Sequence, residues 1–390
     1  MAGLKDYIQT REKDGVDMKK LRSIWDFDLI ILLVLISLFG LMMVYSSSFT
    51  FSILEYGNAT HFFNKQLTWI LVGFVLFMIA SFFPYKLYGK YVAYMVFISI
   101  ILLLLVLIPG VGVERNFATR WLKLGPLLFQ PSEIAKLVMI VYFAKVYTNK
   151  RDKIHDFRHG LMPPLIMLGI VFILITQQPD LGTALSLIVA CGAILLISGA
   201  RWYHLTGLLT IAMSGVLILA LTVDYRMDRI ISFTNPFADP AGEGFQLINS
   251  YIAISSGGFT GVGLGNSVQK LGYLPEAHTD FIMAIIVEEL GVFGVIAVMG
   301  FYVLLLLKGF SIFKKTPDYF AKLLTFGLII LISFQAVLNL ASVSGMMPIT
   351  GIPLPFISYG GTSILVMFIS MGILNNISMH ANNYHLKKER

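Results

Sequence analysis

Asp28-Leu29-Ile30-Ile31-Leu32-Leu33-Val34-Leu35-Ile36-Ser37-Leu38-Phe39-Gly40-Leu41-Met42-Met43-Val44-Tyr45-Ser46-Ser47 carries a charge only at its first residue. About 20 apolar residues in a helix cross the roughly 30 Å hydrocarbon core of a bilayer. The stretch therefore reads as a membrane-spanning helix. It exceeds the usual signal-peptide core of about 7–15 residues, so an uncleaved anchor is expected. Reading outward for similar runs gives ten segments, at 28–47, 67–83, 91–108, 130–147, 161–176, 183–199, 203–223, 280–307, 322–344 and 355–378. Composition agrees: 57% of the 390 residues are hydrophobic and 13% charged, against about 45–50% and 25% in soluble domains. A soluble globular protein is excluded.

The formal charge of +7 invites a nucleic-acid reading, but Lys and Arg collect in cytoplasmic loops of membrane proteins, and no nucleic-acid partner is expected. With ten spans, one side holds Lys5, Arg11, Lys13, Lys19, Lys20, Arg22, Lys86, Lys90, Lys145, Lys150, Arg151, Lys153, Arg158, Arg201, Lys308, Lys314, Lys315, Lys322, Lys387, Lys388 and Arg390. The other holds Lys65, Arg115, Arg120, Lys123, Arg226, Arg229 and Lys270, with Lys136 inside a span. This bias of roughly three to one predicts that both termini are cytoplasmic. The expected fold is an all-α integral membrane protein of ten transmembrane helices. It has tails at 1–26 and 379–390, a single membrane domain at 27–378, and one long outer loop, 224–279, between helices 7 and 8. So long a loop in a compact protein is usually functional; its Gly- and Pro-rich stretches suggest partly re-entrant or surface-lying structure.

Several stretches carry chemistry. Glu114 to Lys123 puts Arg115, Arg120, Lys123 and Trp121 where the positive-inside bias depletes cations, which suits either an anionic pyrophosphate headgroup or simple interfacial anchoring. Gln130-Pro131-Ser132-Glu133-Ile134-Ala135-Lys136 looks like a helix start capped by Ser132, with Glu133 and Lys136 on one face and able to pair. Asp180 in Gln178-Pro179-Asp180-Leu181-Gly182-Thr183 is a helix cap or a site residue. Tyr273 to Phe281 places His278 and Asp280 at the outer membrane face before the eighth span. Asp280 is positioned there as a general base or, more plainly, an N-cap. Glu288 lies about 12 Å deeper along a helix and is expected to pack within the bundle, like Glu289. Between the last spans, Pro348, Pro353 and Pro355 with Gly345, Gly351, Gly360 and Gly361 prevent a regular helix, and irregular backbone at membrane depth must be buried or line a cavity.

Other patterns carry little. Gly261-Val262-Gly263-Leu264-Gly265 lacks the βαβ surroundings of a nucleotide loop. His155 and His159 have zinc-ligand spacing in a basic loop and read as solvated. Cys191 alone forms no internal disulfide. Physics leaves an enzyme acting on a membrane lipid and a transporter both open.

Taken together, Gly125 to Glu133, Gln178 to Thr183, Asn235-Pro236-Phe237, Gly257 to Gly291 and Gly345 to Ser363 resemble the SEDS family (shape, elongation, division and sporulation), polytopic bacterial glycosyltransferases that polymerise peptidoglycan from lipid II. Gly263 to Lys270 followed by Pro275 to Asp280 is most similar to the division member; the elongation and sporulation members vary around Ala277 and His278. The resemblance implies that Asp280 is the essential aspartate, deprotonating the GlcNAc 4-hydroxyl of lipid II for attack on the MurNAc anomeric carbon of the growing strand. It implies that Arg115, Arg120, Lys123, Glu133, Lys136, Asp180, Lys270, His278 and Ser358 serve the substrate. A divalent cation, Mg²⁺ or Mn²⁺, is expected at a site the sequence does not identify, held partly by substrate phosphate. The implied partners are the nascent glycan strand, membrane lipids, a class B penicillin-binding protein transpeptidase and other division-complex membrane proteins, at the septal cytoplasmic membrane. The alternatives are a lipid II flippase, which needs ionisable groups on a path across the membrane, and a scaffold that recruits the transpeptidase.

Overall fold

The structure is a computed structural model that describes residues 25–388 apart from 116–117, 126, 222–223 and 243. Most of the expected tail 1–26 therefore lies outside the described residues. Among the described residues there are twelve α-helices: α1 (Phe27–Tyr56), α2 (His61–Phe82), α3 (Tyr85–Leu107), α4 (Pro131–Asn149), α5 (Met162–Thr176), α6 (Leu181–Ile197), α7 (Trp202–Leu221), α8 (Asp224–Thr234), α9 (Phe245–Gly257), α10 (Ile282–Lys315), α11 (Tyr319–Val343) and α12 (Gly361–Lys388). Each expected segment coincides with one of these helices. Seven helical stretches are long and apolar enough to cross a membrane, Phe27–Tyr56, His61–Phe82, Tyr85–Leu107, Phe157–Thr176, Ile282–Lys315, Tyr319–Val343 and Gly361–Leu386, and Leu181–Ile197 is a shorter apolar helix. The expected C-terminal tail is helical as far as Lys388.

Helix faces could not be read from the sequence because lipid and protein neighbours are both apolar. In α1, Leu29, Leu33, Ile36, Gly40 and Val44 are buried, whereas Ile31, Leu35, Leu38 and Met42 are exposed. The sides differ in burial and not in polarity. The centre of the bundle is α4, α11 and α12: α12 packs on α2, α11 on α6 and α4. α4 is buried almost throughout from Pro131 to Ala144 despite carrying Glu133 and Lys136.

The helical reading missed one small sheet. Strands β1 (Gly112–Arg115), β2 (Ala118–Leu124) and β3 (Leu127–Phe129) form an antiparallel meander between α3 and α4. The long loop is also more regular than expected, since it contains α8 and α9 and a 3₁₀ turn at Gln269–Leu271.

The start of α1 and the ends of α10 and α12 meet at one end of the bundle. Lys308 Nζ there lies 2.5 Å from Asp26 Oδ1 and 2.9 Å from Asp28 Oδ2, beside a cavity of about 500 Å³ lined by Asp26, Lys308, Ser378 and His385. Asp280 precedes α10 and sits at the opposite end, so this cavity is remote from the residues singled out above.

Candidate active site around Asp280

The chain reaches Asp280 through a series of tight turns. Leu274 N donates to Gln269 O at 2.9 Å, and Thr279 N to Glu276 O at 3.1 Å. Glu276 takes a left-handed backbone, φ 54°. Ala277, His278 and Phe281 are buried, which fixes the turn to the bundle. Phe281 occupies the N-cap position of α10 and makes no side-chain cap bond. The plain capping role for Asp280 is therefore corrected: its carboxylate is not spent on helix N–H groups.

Instead it faces a small polar group. The Thr279 hydroxyl lies 3.1 Å from Asp280 Oδ1 and 2.7 Å from Glu276 Oε2, bridging two carboxylates. Asn339 Nδ2 on α11 donates to the Asp280 carbonyl at 2.7 Å and to the Ile352 carbonyl at 2.8 Å. Arg229 on α8 donates to the Ile349 carbonyl at 2.9 Å and places its positive charge near Asp280. A Cβ added at Gly351 would stand 3.8 Å from Asp280 Oδ2, so the irregular 349–352 backbone forms a wall of the site. Burial, and then the Glu276 charge, push Asp280 up to about 6; Thr279 and Arg229 oppose the rise. A carboxylate poised there exchanges protons near neutral pH, as a general base must.

His278 does not share this role. Its ring lies 4.4 Å from the Phe62 ring and stacks on Phe51 at 5.6 Å, while its carbonyl accepts from Tyr359 N at 2.9 Å. Burial lowers its pKa, against a smaller raising effect of Glu276. It anchors the turn as a neutral ring.

A family model described as "Cell cycle protein", covering FtsW, RodA and SpoVE, matches residues 27–383. The probable peptidoglycan glycosyltransferase FtsW of Bacillus subtilis strain 168 is 42% identical, with 96% of this chain and 95% of the relative covered. The stage V sporulation protein E of the same organism is 38% identical over 91% and 97%. The chain belongs to the FtsW/RodA/SpoVE, or SEDS, family. Among solved structures, a chain from work on the structural coordination of polymerization and crosslinking by a peptidoglycan synthase complex superposes with a TM-score of 0.75 at 27% identity, covering 92% of this chain and 98% of that one. The rod shape determining protein RodA of Thermus thermophilus gives 0.67 at 25% identity, over 91% and 96%.

In this SEDS chain the other expected residues separate into groups. Arg120 is the extra residue of a β-bulge in β2, between Thr119, which pairs with Glu114, and Trp121, which pairs with Val113, and its surroundings differ from those of Lys123. Arg120 turns inward and donates to the carbonyls of Gln178 (3.3 Å) and Pro179, whereas Lys123 is exposed. Only the backbone of Arg115 is described; its side chain lies outside the described residues. Asp180 caps α6 by accepting from Thr183 N at 3.3 Å, and it also accepts from Gln130 Nε2 at 3.0 Å and Ser132 Oγ at 3.4 Å. Ser132 is thus no cap of α4, whose N-cap is Gln130; Pro131 opens the helix. Gly182, two residues on, packs against Thr350 and Ile352, which joins this helix end to the Asp280 site.

Glu133 and Lys136 do pair, at 2.8 Å and fully inside the bundle. Ser358 is internal scaffolding: its hydroxyl accepts from Leu354 N at 2.8 Å and its carbonyl from Gln66 Nε2 at 3.2 Å. Lys270, expected to serve the substrate from the outer loop, is buried in an ion pair with Glu289 at 2.7 Å. Glu288 does not merely pack in the bundle, since it accepts from Val268 N at 2.9 Å and from Ser267 Oγ. Four residues at the site escaped sequence reasoning: Arg229, Glu276, Thr279 and Asn339. Asn339 carried a usable signal, being a polar side chain inside an apolar span.

Among the described residues no three His, Cys, Asp or Glu side chains cluster as a metal site. Glu276 and Asp280 offer two carboxylates at this site.

Proposed function

We propose that this chain is a peptidoglycan glycosyltransferase that polymerises lipid II into β-1,4 glycan strands for septal wall synthesis. Asp280 removes the proton from the GlcNAc 4-hydroxyl of one lipid II. That oxygen attacks the anomeric carbon of the strand's terminal MurNAc, the bond to undecaprenyl pyrophosphate breaks with inversion, and the pyrophosphate leaves with the bonding electrons. The observation that carries the reading is the state of the charges. Asp280 has a carboxylate not used for capping and poised near neutral pH, whereas Glu133, Lys136, Lys270 and Glu289 are consumed in internal pairs. A transporter needs such groups along a path across the membrane; a polymerase needs its base at one face.

The same reading has ten spans, both termini in the cytoplasm and Asp280 at the outer face of the cytoplasmic membrane. In this reading exposed Lys123 meets the anionic headgroup, and Arg229, beside Asp280, offsets charge developing on the pyrophosphate. A divalent cation would be carried largely by the substrate's phosphates, since Mg²⁺ commonly keeps few protein ligands; no step is assigned to it. A class B penicillin-binding protein is the proposed partner, in line with the synthase complex that gives a TM-score of 0.75.

The test is reconstitution of the purified chain with that partner, lipid II and Mg²⁺ or Mn²⁺. Polymer is expected from the wild type and none from Asp280→Ala or Asp280→Asn. Undiminished polymer from either variant removes the base assignment. No polymer from the wild type beside a competent partner favours the flippase or the scaffold.

A further inference from the structure

Eleven residues after Asp280, α10 is interrupted. Gly291 leaves helical geometry at φ 59°, and the segment after α9 folds down against the break: Val262 N donates to Glu288 O at 2.9 Å, Gly263 N to Glu289 O at 3.0 Å, and Val292 N to Phe259 O at 3.1 Å. A Cβ on Gly261 would stand 2.2 Å from the Glu289 carbonyl, so only glycine permits this approach. The two adjacent carboxylates then turn to the same segment. Glu288 holds Ser267 and Val268. Glu289 takes Lys270 Nζ at 2.7 Å and Ser46 Oγ of α1 at 2.7 Å, and Lys270 Nζ also lies 3.1 Å from Ser46 Oγ.

Lys270 and Glu289 bracket Asp280 in the chain, so their ion pair closes a ring that contains Glu276, Thr279 and Asp280. α1 touches this ring twice, through Ser46 at the pair and through Phe51 at His278. We infer that the Lys270–Glu289 pair, tied to α1 by Ser46, is a positioning clamp that sets where the Asp280 carboxylate stands relative to substrate. The inference rests on the polymerase reading above. Stability alone does not explain the pair, because a buried ion pair is often matched or exceeded by well-packed apolar residues of similar volume. Its directional bonds to two elements supply what an apolar pair lacks. Misplacing a catalytic group by about 1 Å is enough to cost roughly 100-fold in rate.

The experiment uses the full chain with its penicillin-binding partner and lipid II. Removing one charge alone strands the other, so the main variant is Lys270→Met with Glu289→Gln; Lys270→Arg is the conservative control. A clamp predicts that the double variant still melts cooperatively, that kcat falls roughly tenfold or more with KM changed less than about twofold, and that the midpoint of the pH–rate profile moves. Lys270→Arg should recover most of kcat. Wild-type kcat and an unmoved pH profile in the double variant, with or without a lower melting midpoint, overturn the clamp. Asp280→Ala, run in parallel, separates the two levels. If it is inactive while the double variant is unimpaired, only the clamp fails; if it polymerises like the wild type, the catalytic reading fails and takes the clamp with it.

Discussion

Asn339 holds Asp280 by the backbone. Its Nδ2 donates to the Asp280 carbonyl at 2.7 Å and to the Ile352 carbonyl at 2.8 Å, so one amide in α11 joins the start of α10 to the irregular wall of the site. Asn339→Leu keeps the branched shape and the number of heavy atoms and leaves both carbonyls without this donor. Each unsatisfied buried group costs about 1–3 kcal/mol. The variant should melt earlier than the wild type and polymerise lipid II more slowly, with the loss in kcat and not in KM. An unchanged kcat would show that the wall and the base are held independently of Asn339.

Activity should rise with pH around the Asp280 carboxyl, which burial and Glu276 push up to about 6. A base works only when deprotonated, so kcat/KM is expected to climb through that region and level off above it. The neighbours give the sign of the controls. Glu276→Gln removes a repelling negative charge and should move the rise to lower pH. Arg229→Gln removes a positive charge and should move it higher. Profiles of both variants coinciding with the wild type would remove Asp280 as the titrating group.

The same shift has a consequence for stability. An acid whose folded pKa is raised binds more protons in the native state, so its contribution is fully present below the usual carboxylate range, near 3.8, and is lost as pH rises through about 6. At neutral pH the ionised Asp280 therefore works against the fold. Asp280→Asn should melt higher than the wild type at pH 7 and lose that advantage near pH 4, while making no polymer. A melting midpoint at pH 7 equal to or below the wild type's would contradict the half-buried, Glu276-repelled carboxylate.

Much of the bundle was legible because a bilayer demands long apolar helices: each expected segment coincides with a helix, and among the described residues seven helical stretches are long and apolar enough to cross a membrane. The Glu133–Lys136 pair was legible for the same kind of reason, since three residues along a helix share a face. What escaped was contact between distant segments. Lys270 reads as an outer-loop cation, and only the fold of 257–271 against the Gly291 break brings Glu289 to it. Arg120 and Lys123 read as one cationic patch until the bulged β2 sets Arg120 on the Gln178 and Pro179 carbonyls and leaves Lys123 exposed. Arg229 reads only as one of the outer-side cations, and its place beside Asp280 depends on where α8 meets the 349–352 wall.

That separation of Arg120 from Lys123 is testable. Arg120 donates to the carbonyls of Gln178 and Pro179 and thereby ties the sheet to the α5–α6 turn, whereas Lys123 is exposed. Arg120→Ala should lower the melting midpoint. Lys123→Glu should leave melting unchanged and raise KM for lipid II, more strongly at low salt, because screening acts on exposed charges first. If Lys123→Glu alters melting and not KM, its proposed contact with the headgroup is lost.

The Glu133–Lys136 pair lies wholly within the bundle, and Glu133 Oε2 is buried without a hydrogen-bond partner. Two charges removed from water at that depth are tolerable only because each neutralises the other. Lys136→Met leaves Glu133 alone in a low-dielectric interior, and breaking a buried pair in this way costs about 3–5 kcal/mol. Removing both charges together removes that cost. Lys136→Met should therefore melt well below the wild type, and Lys136→Met with Glu133→Gln should recover most of the difference or exceed it. Polymerase assays on the recovered double variant then separate two uses of the pair. Wild-type activity makes it a support for α4, whereas stable but inactive protein places it in contact with the substrate.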